Sequence, residues 1–171
     1  MSEGPVAEHS IAVTRAKFAQ DFAVARELFM EYATGLDIDL AYQGFQTELG
    51  TLQDHYGRPD TCLLIARDWQ GTCGCVGVRR FDVQNCEMKR LYVRPRVRGA
   101  GLGRLLAAQA IAFATECQYQ SMLLDSLPTM AQAVSLYKSL GFKDVPPYYS
   151  SPVVGTLYMK LHLDAVPLQL R

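Results

Sequence analysis

The stretch from Val93 to Arg104, VRPRVRGAGLGR, limits what this chain can fold into more than any other feature of the sequence. It follows a strand-like segment and runs directly into a helical pattern. Glycines lack the Cβ atoms that keep backbone N–H groups away from a ligand, and the first turn of the following helix points unbonded N–H groups at the same place. The glycines are Gly99, Gly101 and Gly103, and the arginines that add positive charge are Arg96, Arg98 and Arg104. The stretch therefore predicts a turn that binds a phosphorylated ligand.

The spacing of these glycines separates several kinds of phosphate-binding turn. A dinucleotide-binding fold requires Gly-x-Gly-x-x-Gly after an apolar strand, whereas this chain has Gly-x-Gly-x-Gly after the charged segment 87–93. A P-loop requires Gly-Lys-Ser/Thr, but Gly103 is followed by Arg104 and Leu105. A nicotinamide-dependent dehydrogenase and a P-loop enzyme are therefore disfavoured. The glycines taken alone also fit an ordinary strand-to-helix turn.

Two motifs together resemble one superfamily. The spacing Arg98-x-x-Gly101-x-Gly103 resembles the Arg/Gln-x-x-Gly-x-Gly/Ala signature of the GNAT superfamily of N-acetyltransferases, in which it holds the coenzyme A pyrophosphate. Further along the chain, Leu136-Tyr137-x-x-x-Gly141-Phe142 resembles the second signature of that superfamily, Leu-Tyr-x-x-x-Gly-Phe. The resemblance implies acetyl-CoA as the cosubstrate.

The order of predicted elements agrees with this resemblance. Strand patterns cover residues 10–15, 61–67, 73–81, 85–93, 121–125 and 156–163, and helical patterns cover residues 19–32, with Gly35 closing the segment, 45–55, 101–117 and 129–140. With 171 residues, the chain has the size of one domain. We expect one acetyltransferase domain over residues 1–171, with a core at 10–163 and an apolar C-terminal tail at 164–171. The expected fold class is α/β (α+β), a GNAT fold whose central, mostly antiparallel sheet of six to seven strands is flanked by four helices.

Within the strand predicted at 85–93, strict alternation of side chains divides the residues between two faces. One face is expected to carry Glu87, Lys89, Leu91 and Val93, and the other Met88, Arg90 and Tyr92.

Charge and cysteine content exclude other function classes. Lysine and arginine number 17, as do aspartate and glutamate, so the balanced charge argues against nucleic-acid or membrane-surface binding. The most apolar stretch, 105–114, is about ten residues long, against the ~20 that a membrane-spanning helix needs. The five cysteines are an odd number without a Cys-x-x-Cys pair, which favours reduced thiols over disulfides or a zinc site. We expect a cytoplasmic protein without a metal, and the N-terminal ten residues lack the apolar core of a targeting signal.

The resemblance also implies which residues contact the cofactor. The pantetheine arm is expected to lie along the strand ending at Val93 like an added strand, and the pyrophosphate on the glycine-rich turn. The cofactor-binding residues implied are Leu91, Tyr92, Val93, Arg98, Gly99, Ala100, Gly101, Leu102, Gly103 and Arg104. Many superfamily members have an asparagine near the start of the penultimate helix, whereas this chain has Ser126 and Thr129 there. Either could replace that contact, or Thr129 could be only the helix N-cap.

The chemistry requires a neutral amine and a proton for the departing thiolate. An alkyl ammonium with a pKa near 10 is almost fully protonated at pH 7, so a base is useful. Some members of the superfamily place a glutamate base where Glu87 stands, although Glu87 could instead pair with Lys89 or Arg90 on the surface. Tyr137 is the candidate proton donor, or alternatively a core aromatic. Backbone N–H groups of Leu91 and Val93 are the expected donors to the developing oxyanion.

The early helix–loop–helix segment lines the acceptor pocket in the resembled superfamily. The expected substrate-binding residues are Tyr32, Asp37, Asp125 and Tyr148. The carboxylates of Asp37 and Asp125, together with that of Asp39, suggest a cationic acceptor. Each carboxylate taken singly also fits a solvated loop. We expect an acetyl-CoA-dependent N-acetyltransferase that acts on a primary amine of a small molecule or peptide by direct attack on the thioester. The alternative is a non-catalytic acyl-CoA-binding or interaction module with the same fold, and the resemblance suggests a homodimer.

Overall fold

The computed structural model describes residues 10–163. Its seven strands are β1 (Ala12–Arg15), β2 (Cys62–Asp68), β3 (Gly71–Arg80), β4 (Asn85–Val93), β5 (Ser121–Ser126), β6 (Lys143–Asp144) and β7 (Leu157–His162). Its α-helices are α1 (Ala19–Gly35), α2 (Phe45–Gly50), α3 (Leu52–Tyr56), α4 (Leu102–Glu116) and α5 (Ala131–Ser139). Short 3₁₀ turns cover Ala41–Gln43 and Pro95–Val97. The predicted tail at 164–171 and residues 1–9 lie outside the described part of the chain.

All seven strands form one sheet in the order β1-β2-β3-β4-β5-β7-β6. Every neighbouring pair is antiparallel except β4 and β5, which are parallel and are joined through α4. The predicted fold class and the mostly antiparallel sheet are confirmed. The helix prediction was wrong in one respect, because the segment 45–55 is two short helices, interrupted at Thr51 with φ −133°.

Helices cover both faces of the sheet and form two apolar cores. On one face α4 and α5 pack against the sheet through residues such as Leu106, Ile111 and Tyr137. On the other face α1, α2 and α3 do so through Phe29, Leu49 and Tyr56. Burial of this apolar area on both sides of the sheet is the main stabilising contribution to the fold.

Gly77 on β3 shows how closely the layers approach. A Cβ atom at this position would lie 2.5 Å from Cε1 of Tyr56, which is fully buried. The ring of Tyr56 therefore occupies the space of a missing side chain, and its position on the sheet depends on this glycine.

A β-bulge in β4 corrects the predicted alternation of side chains. Cys75 pairs with Tyr92 but Gly77 pairs with Lys89, so three steps along β4 match two along β3. The extra residue is Arg90, whose φ of 57° is uncommon for a residue with a side chain. From Arg90 onward, each side chain of β4 lies on the face of the sheet opposite to the predicted one. Arg90 and Tyr92 lie on the α1 side with Glu87 and Lys89, and Leu91 and Val93 lie on the α4 side with Met88.

The parallel strands β4 and β5 pair over only three residues of each strand. Residues 85–87 of β4 match residues 121–123 of β5, and no pairing continues beyond Glu87. β5 stays paired with β7 along its whole length, from Ser121 to Ser126. The C-terminal half of β4 therefore separates from β5 and leaves a gap in the sheet. No helix within residues 10–163 combines the length and apolarity that crossing a membrane would require.

Candidate active site

A cleft opens where β4 and β5 separate. Side chains from five elements line it, including Tyr32 from α1, Gln43 from the first 3₁₀ turn, Lys89 and Arg90 from β4, Asp125 from β5 and Tyr137 from α5. The gap in the sheet thus brings together residues from both halves of the chain.

Backbone N–H groups of β4 are available along this gap. The N–H of Arg94 donates to the carbonyl of Cys73 on the β3 side. Because N–H groups alternate in direction along a strand, those of Val93 and Leu91 point to the opposite side, where β5 no longer pairs. They can donate to a ligand that lies in the gap.

The glycine-rich turn continues from the end of β4 and is open above its backbone. Gly99 and Gly101 have φ values of 84° and 79°, in the left-handed region where glycine is favoured. A Cβ built on either glycine would meet no atom of residues 10–163 within 4 Å, and one on Gly103 would come only to 3.6 Å from Leu136. Gly101 is the residue before α4, and the first N–H groups of that helix have no intrahelical acceptor. The turn can therefore hold an anion by backbone contacts.

The three arginines of the turn are distributed more widely than the sequence suggests. Arg98 donates through Nε to the carbonyl oxygen of Val93 at 2.9 Å and so fixes the turn to the end of β4. Arg104 donates to Oγ of Ser139 on α5 at 2.6 Å. Arg96 instead forms an ion pair with Asp68 at the β2–β3 hairpin, with contacts of 2.5 and 3.0 Å. Its positive charge is partly balanced there.

Tyr137 lines the cleft with its side chain largely buried. Its ring packs edge-on against Phe142 at 5.9 Å between centroids, and only 7% of the residue is exposed. The hydroxyl has no hydrogen-bond partner among residues 10–163. Burial, together with the nearby Tyr32 hydroxyl and Asp125 carboxylate, raises the pKa of Tyr137 well above its ordinary value. The phenol stays protonated and can donate into the cleft.

Asp125 and Lys89 form a buried ion pair on the wall of the cleft. Nζ of Lys89 lies 3.0 Å from Oδ1 of Asp125, and their side chains are 5% and 8% exposed. The other carboxylate oxygen accepts hydrogen bonds from Gln43 at 3.1 Å and Tyr149 at 3.0 Å. Burial acts to raise the pKa of Asp125, but the charge and hydrogen bond of Lys89 outweigh it, and the pKa lies below its ordinary value. Asp125 is therefore ionised, and both of its carboxylate oxygens accept hydrogen bonds.

Arg90 forms a second buried ion pair, with Glu48 of α2. Its Nε and Nη2 donate to Oε2 of Glu48 at 3.2 and 2.6 Å, and both side chains are 2% exposed. Its Nη1 donates to Oε1 of Gln43 at 2.7 Å, and Tyr56 donates to the second oxygen of Glu48. Gln43 thus connects the two ion pairs, Arg90–Glu48 and Lys89–Asp125, into one network.

Glu87, the candidate base, lies outside the cleft lining. It is 3% exposed, and its Oε1 accepts from Nε of Arg79 at 2.9 Å. Its Oε2 accepts from the hydroxyl of Tyr148 at 3.1 Å. The alternative that paired Glu87 with Lys89 or Arg90 was wrong, because these cations are bound by Asp125 and Glu48 and the partner of Glu87 is Arg79.

The candidate acceptor residues are only partly brought together. Tyr32 and Asp125 line the cleft, whereas Tyr148 lies beside it and packs edge-on against Tyr149 and Tyr158. Asp37 is exposed in the loop after α1 and does not line the cleft.

Two other candidates have local roles. Asp39 accepts a hydrogen bond from the N–H of Ala41 at 2.8 Å and so stabilises the first 3₁₀ turn. Thr129 is not the N-cap of α5, because that position is occupied by Met130, whose side chain makes no capping hydrogen bond. Ser126 does line the cleft.

Sequence reasoning missed several residues of the site. They are Gln43, Glu48 and Lys89 as network members, and Arg90 as a residue facing the cleft. The available signal was the pair Lys89-Arg90 in the middle of a strand with apolar neighbours, since buried cations are rare unless they are paired.

Comparisons with known proteins agree with this geometry. The sequence matches the Acetyltransferase (GNAT) domain family over residues 59–144. It is 42% identical to an uncharacterized N-acetyltransferase of Schizosaccharomyces pombe over 157 residues, covering 91% of this chain and 96% of that protein. It is 26% identical to the N-acetylaspartate synthetase of Rattus norvegicus, covering 94% of this chain but 57% of the relative.

A solved structure has the same fold. A putative acetyltransferase of Salmonella typhimurium, determined with its cofactor acetyl-CoA, superposes with a TM-score of 0.64 at 22% identity, over 91% of this chain and 95% of that one. The sheet with its gap, the open glycine-rich turn and the sequence matches lead to one conclusion: the chain belongs to the GNAT family and is an N-acetyltransferase.

Proposed function

We propose that the protein transfers the acetyl group of acetyl-CoA to a primary amine of a small molecule or peptide, by direct attack of the amine on the thioester. The observation that carries the proposal is the gap between β4 and β5. It exposes the N–H groups of Leu91 and Val93 and leads at one end to the open glycine-rich turn. On its wall lies the hydroxyl of Tyr137, which has no hydrogen-bond partner among residues 10–163.

Residues of β4 and of the turn fit coenzyme A. Leu91, Tyr92 and Val93 would bind the pantetheine arm through their backbone, as an added strand would be bound. The turn and the start of α4 would bind the pyrophosphate through backbone N–H groups, since the space above Gly99 and Gly101 is open. The complete set proposed for cofactor binding is Leu91, Tyr92, Val93, Arg98, Gly99, Ala100, Gly101, Leu102, Gly103 and Arg104.

Acetyl-CoA supplies an activated thioester, and residues of the chain would supply two things to the reaction. The N–H groups of Leu91 and Val93 would stabilise negative charge on the thioester oxygen, which typically contributes about 10²–10³ in rate per donor. The hydroxyl of Tyr137 would donate a proton to the departing thiolate, and its raised pKa keeps it protonated for that role.

Glu87 acts, in this proposal, at a distance from the amine. Both of its carboxylate oxygens accept hydrogen bonds, from Arg79 and Tyr148, and it does not line the cleft. It would receive the amine proton only through intervening water. Amine deprotonation would otherwise proceed directly to solvent in the cleft.

The proposal is tested by the release of free thiol from acetyl-CoA in the presence of an amine panel. The panel contains amino acids, a short peptide, a polyamine and aspartate, because the rat relative is named N-acetylaspartate synthetase. Thiol release with at least one amine, strongly reduced in Tyr137→Phe, is the expected result. Tyr119→Phe is the matched control, since Tyr119 is equally buried at 7% and bonds Asp60 away from the cleft.

Binding of acetyl-CoA without thiol release for any amine, and no effect of Tyr137→Phe, would contradict the proposal. That result would favour the alternative, a non-catalytic acyl-CoA-binding or interaction module with the same fold.

We further propose a single domain over residues 1–171 that forms a homodimer in the cytoplasm and uses no metal. The five cysteines support a reducing compartment, since four of them are buried in the sheet as free thiols. Sedimentation of the full chain tests the assembly, and a monomer at micromolar concentration would contradict it.

A further inference from the structure

The cleft lining carries more positive than negative charge. Lys89 and Arg90 are adjacent on β4 and both line the cleft, whereas Asp125 is the one carboxylate that lines it within the described residues. Glu48 pairs with Arg90 from the α2 side and does not line the cleft. An acceptor therefore meets two cations and one carboxylate that is already paired.

The β-bulge is what gives the cleft its second cation. In a regular strand Arg90 would point to the α4 face, opposite Lys89. The bulge holds Arg90 at a φ of 57°, which is uncommon for a residue with a side chain, and turns it to the α1 face. Two consecutive residues of one strand then contribute guanidinium and ammonium groups to the same space.

Asp125 is poorly suited to hold a cationic acceptor. Its Oδ1 is 3.0 Å from Nζ of Lys89, and its Oδ2 accepts from Gln43 and Tyr149. An ammonium group brought to this carboxylate would lie close to the Lys89 ammonium as well, in a buried site where like charges repel strongly. The arrangement thus disfavours a polyamine.

Lys89 retains donors for an anion. An ammonium has three N–H donors, and Asp125 takes one of those of Lys89. Arg90 uses three N–H groups on Glu48 and Gln43, which orient its guanidinium, and its charge still acts on the cleft. A carboxylate at this wall would gain charge-assisted hydrogen bonds from Lys89 and Coulomb attraction from Arg90.

The same two cations would assist the chemistry. A positive charge close to an ammonium favours its deprotonated form. An amine held a few ångströms from Lys89 and Arg90 would therefore lose its proton more readily, in a cleft where Glu87 does not reach it directly. Binding of a carboxylate and activation of the neighbouring amine would thus be served by one pair of residues.

From these contacts we propose that the acceptor is an amino acid or amino-acid derivative with a free carboxylate near its amine, and that Lys89 and Arg90 bind that carboxylate. The inference rests on the proposed acetyl transfer, because it names the class of amine that the transfer uses.

The test compares matched acceptors that differ only in the carboxylate. L-Aspartate is compared with its diamide and L-alanine with L-alaninamide, and spermidine represents a polycation. Thiol release from acetyl-CoA is measured at saturating cofactor, and kcat/KM is calculated per neutral amine. We expect at least one acid to exceed its amide about tenfold or more, and spermidine to be poorer still.

Variants assign the preference to the proposed residues. In Lys89→Met/Asp125→Asn both charges of the pair are removed, so no buried charge is left alone, and we expect the acid-over-amide preference to fall about tenfold while KM for acetyl-CoA stays unchanged. Asp125→Asn alone keeps Lys89 and should keep or increase the preference. Lys143→Met, an exposed lysine on β6, is the matched control and should behave as wild type.

Two failures are distinguishable. The carboxylate inference is overturned, and acetyl transfer stays intact, if the amides or spermidine react with equal or higher kcat/KM than the acids. An unchanged acid-over-amide preference in the folded double variant has the same consequence. Absence of thiol release with every amine, despite acetyl-CoA binding, overturns the proposed transfer itself.

Discussion

At the scale of single residues, the account depends on which side chains have unused hydrogen-bonding capacity. The hydroxyl of Tyr137 has no partner among residues 10–163, whereas both carboxylate oxygens of Glu87 are bonded. A group without a partner inside a cleft can act on a ligand, and a group with all its partners is held in place. Tyr137 and Glu87 should therefore respond differently to conservative substitution.

Replacing Tyr137 by phenylalanine removes only the hydroxyl. We expect kcat to fall by ~10²–10⁴, the usual contribution of a positioned proton donor, with little change in KM for acetyl-CoA. Because burial raises the pKa of this phenol, wild-type kcat should show no decline from Tyr137 ionisation up to pH ~10. Steady-state kinetics across pH measure both effects, and a Tyr137→Phe variant with wild-type kcat would exclude the assigned role.

Replacing Glu87 by glutamine keeps the shape of the side chain and removes its charge. Since Arg79 and Tyr148 already engage the carboxylate, we expect kcat to fall by less than about tenfold. A pH–rate profile of the variant provides the check. A fall of ~10² or more together with loss of the acidic limb would instead make Glu87 the general base.

Some of these residues could be predicted from the sequence, and others could not, because their roles depend on contacts between distant parts of the chain. Tyr137 and the glycines belong to short local motifs, which are visible in sequence. The ion pairs Lys89–Asp125 and Arg90–Glu48 join positions 36 and 42 residues apart, so only the folded chain brings them together. Their pairing could not be assigned without the strand register.

At the scale of elements, β4 and the turn that follows it determine the site. The separation of β4 from β5 opens the cleft, the bulge directs Arg90 into it, and the turn brings α4 to its end. The element order was predictable because apolar periodicity and glycines mark strands, helices and turns. The bulge was not, since an extra residue in a strand leaves no distinct pattern and reverses every later side chain.

The glycine-rich turn is tested with Gly103→Val. Gly103 lies within α4, and its φ is not in the left-handed region, so a side chain there adds no backbone strain of that kind. We expect KM for acetyl-CoA to rise about tenfold or more, because the side chain blocks approach to the backbone N–H groups. Gly50→Val, at the end of α2 and away from the turn, is the control for replacing a helical glycine by valine.

Gly101→Val should raise KM for acetyl-CoA at least as much, and it should also lower stability because φ is 79° at that residue. An unchanged KM in both folded variants would mean that the turn does not bind the cofactor.

At the scale of the whole molecule, a buried charged network crosses from the helices to the sheet. Burial acts to raise the pKa of Glu48, but the charge and hydrogen bonds of Arg90 outweigh it, so the pKa lies below its ordinary value. A carboxylate with a lowered pKa in the folded state contributes stability above its unfolded pKa and loses that contribution as pH falls. The pKa of Asp125 is also lowered, so this carboxylate contributes stability that is likewise lost as pH falls.

The expected consequence is loss of stability in acid. The free energy of unfolding should decrease as pH falls below about 4.5, near the ordinary pKa of glutamate. Glu48→Gln should be less stable at pH 7 by about 3–5 kcal/mol, because Arg90 is left as an unbalanced buried charge, and should lose part of this pH dependence. Urea unfolding measures both, with Glu116→Gln on the exposed face of α4 as control. Equal stability of Glu48→Gln and wild type at pH 7 would contradict the role of this ion pair.

The most direct test of the central claim is a structure of the protein with bound coenzyme A. The account predicts the pyrophosphate within hydrogen-bond distance of the N–H groups at 101–103 and the pantetheine arm in the gap beside Leu91 and Val93. The sulfur should lie next to the Tyr137 hydroxyl. Coenzyme A bound elsewhere, or a gap that stays closed while the ligand is bound, would contradict it.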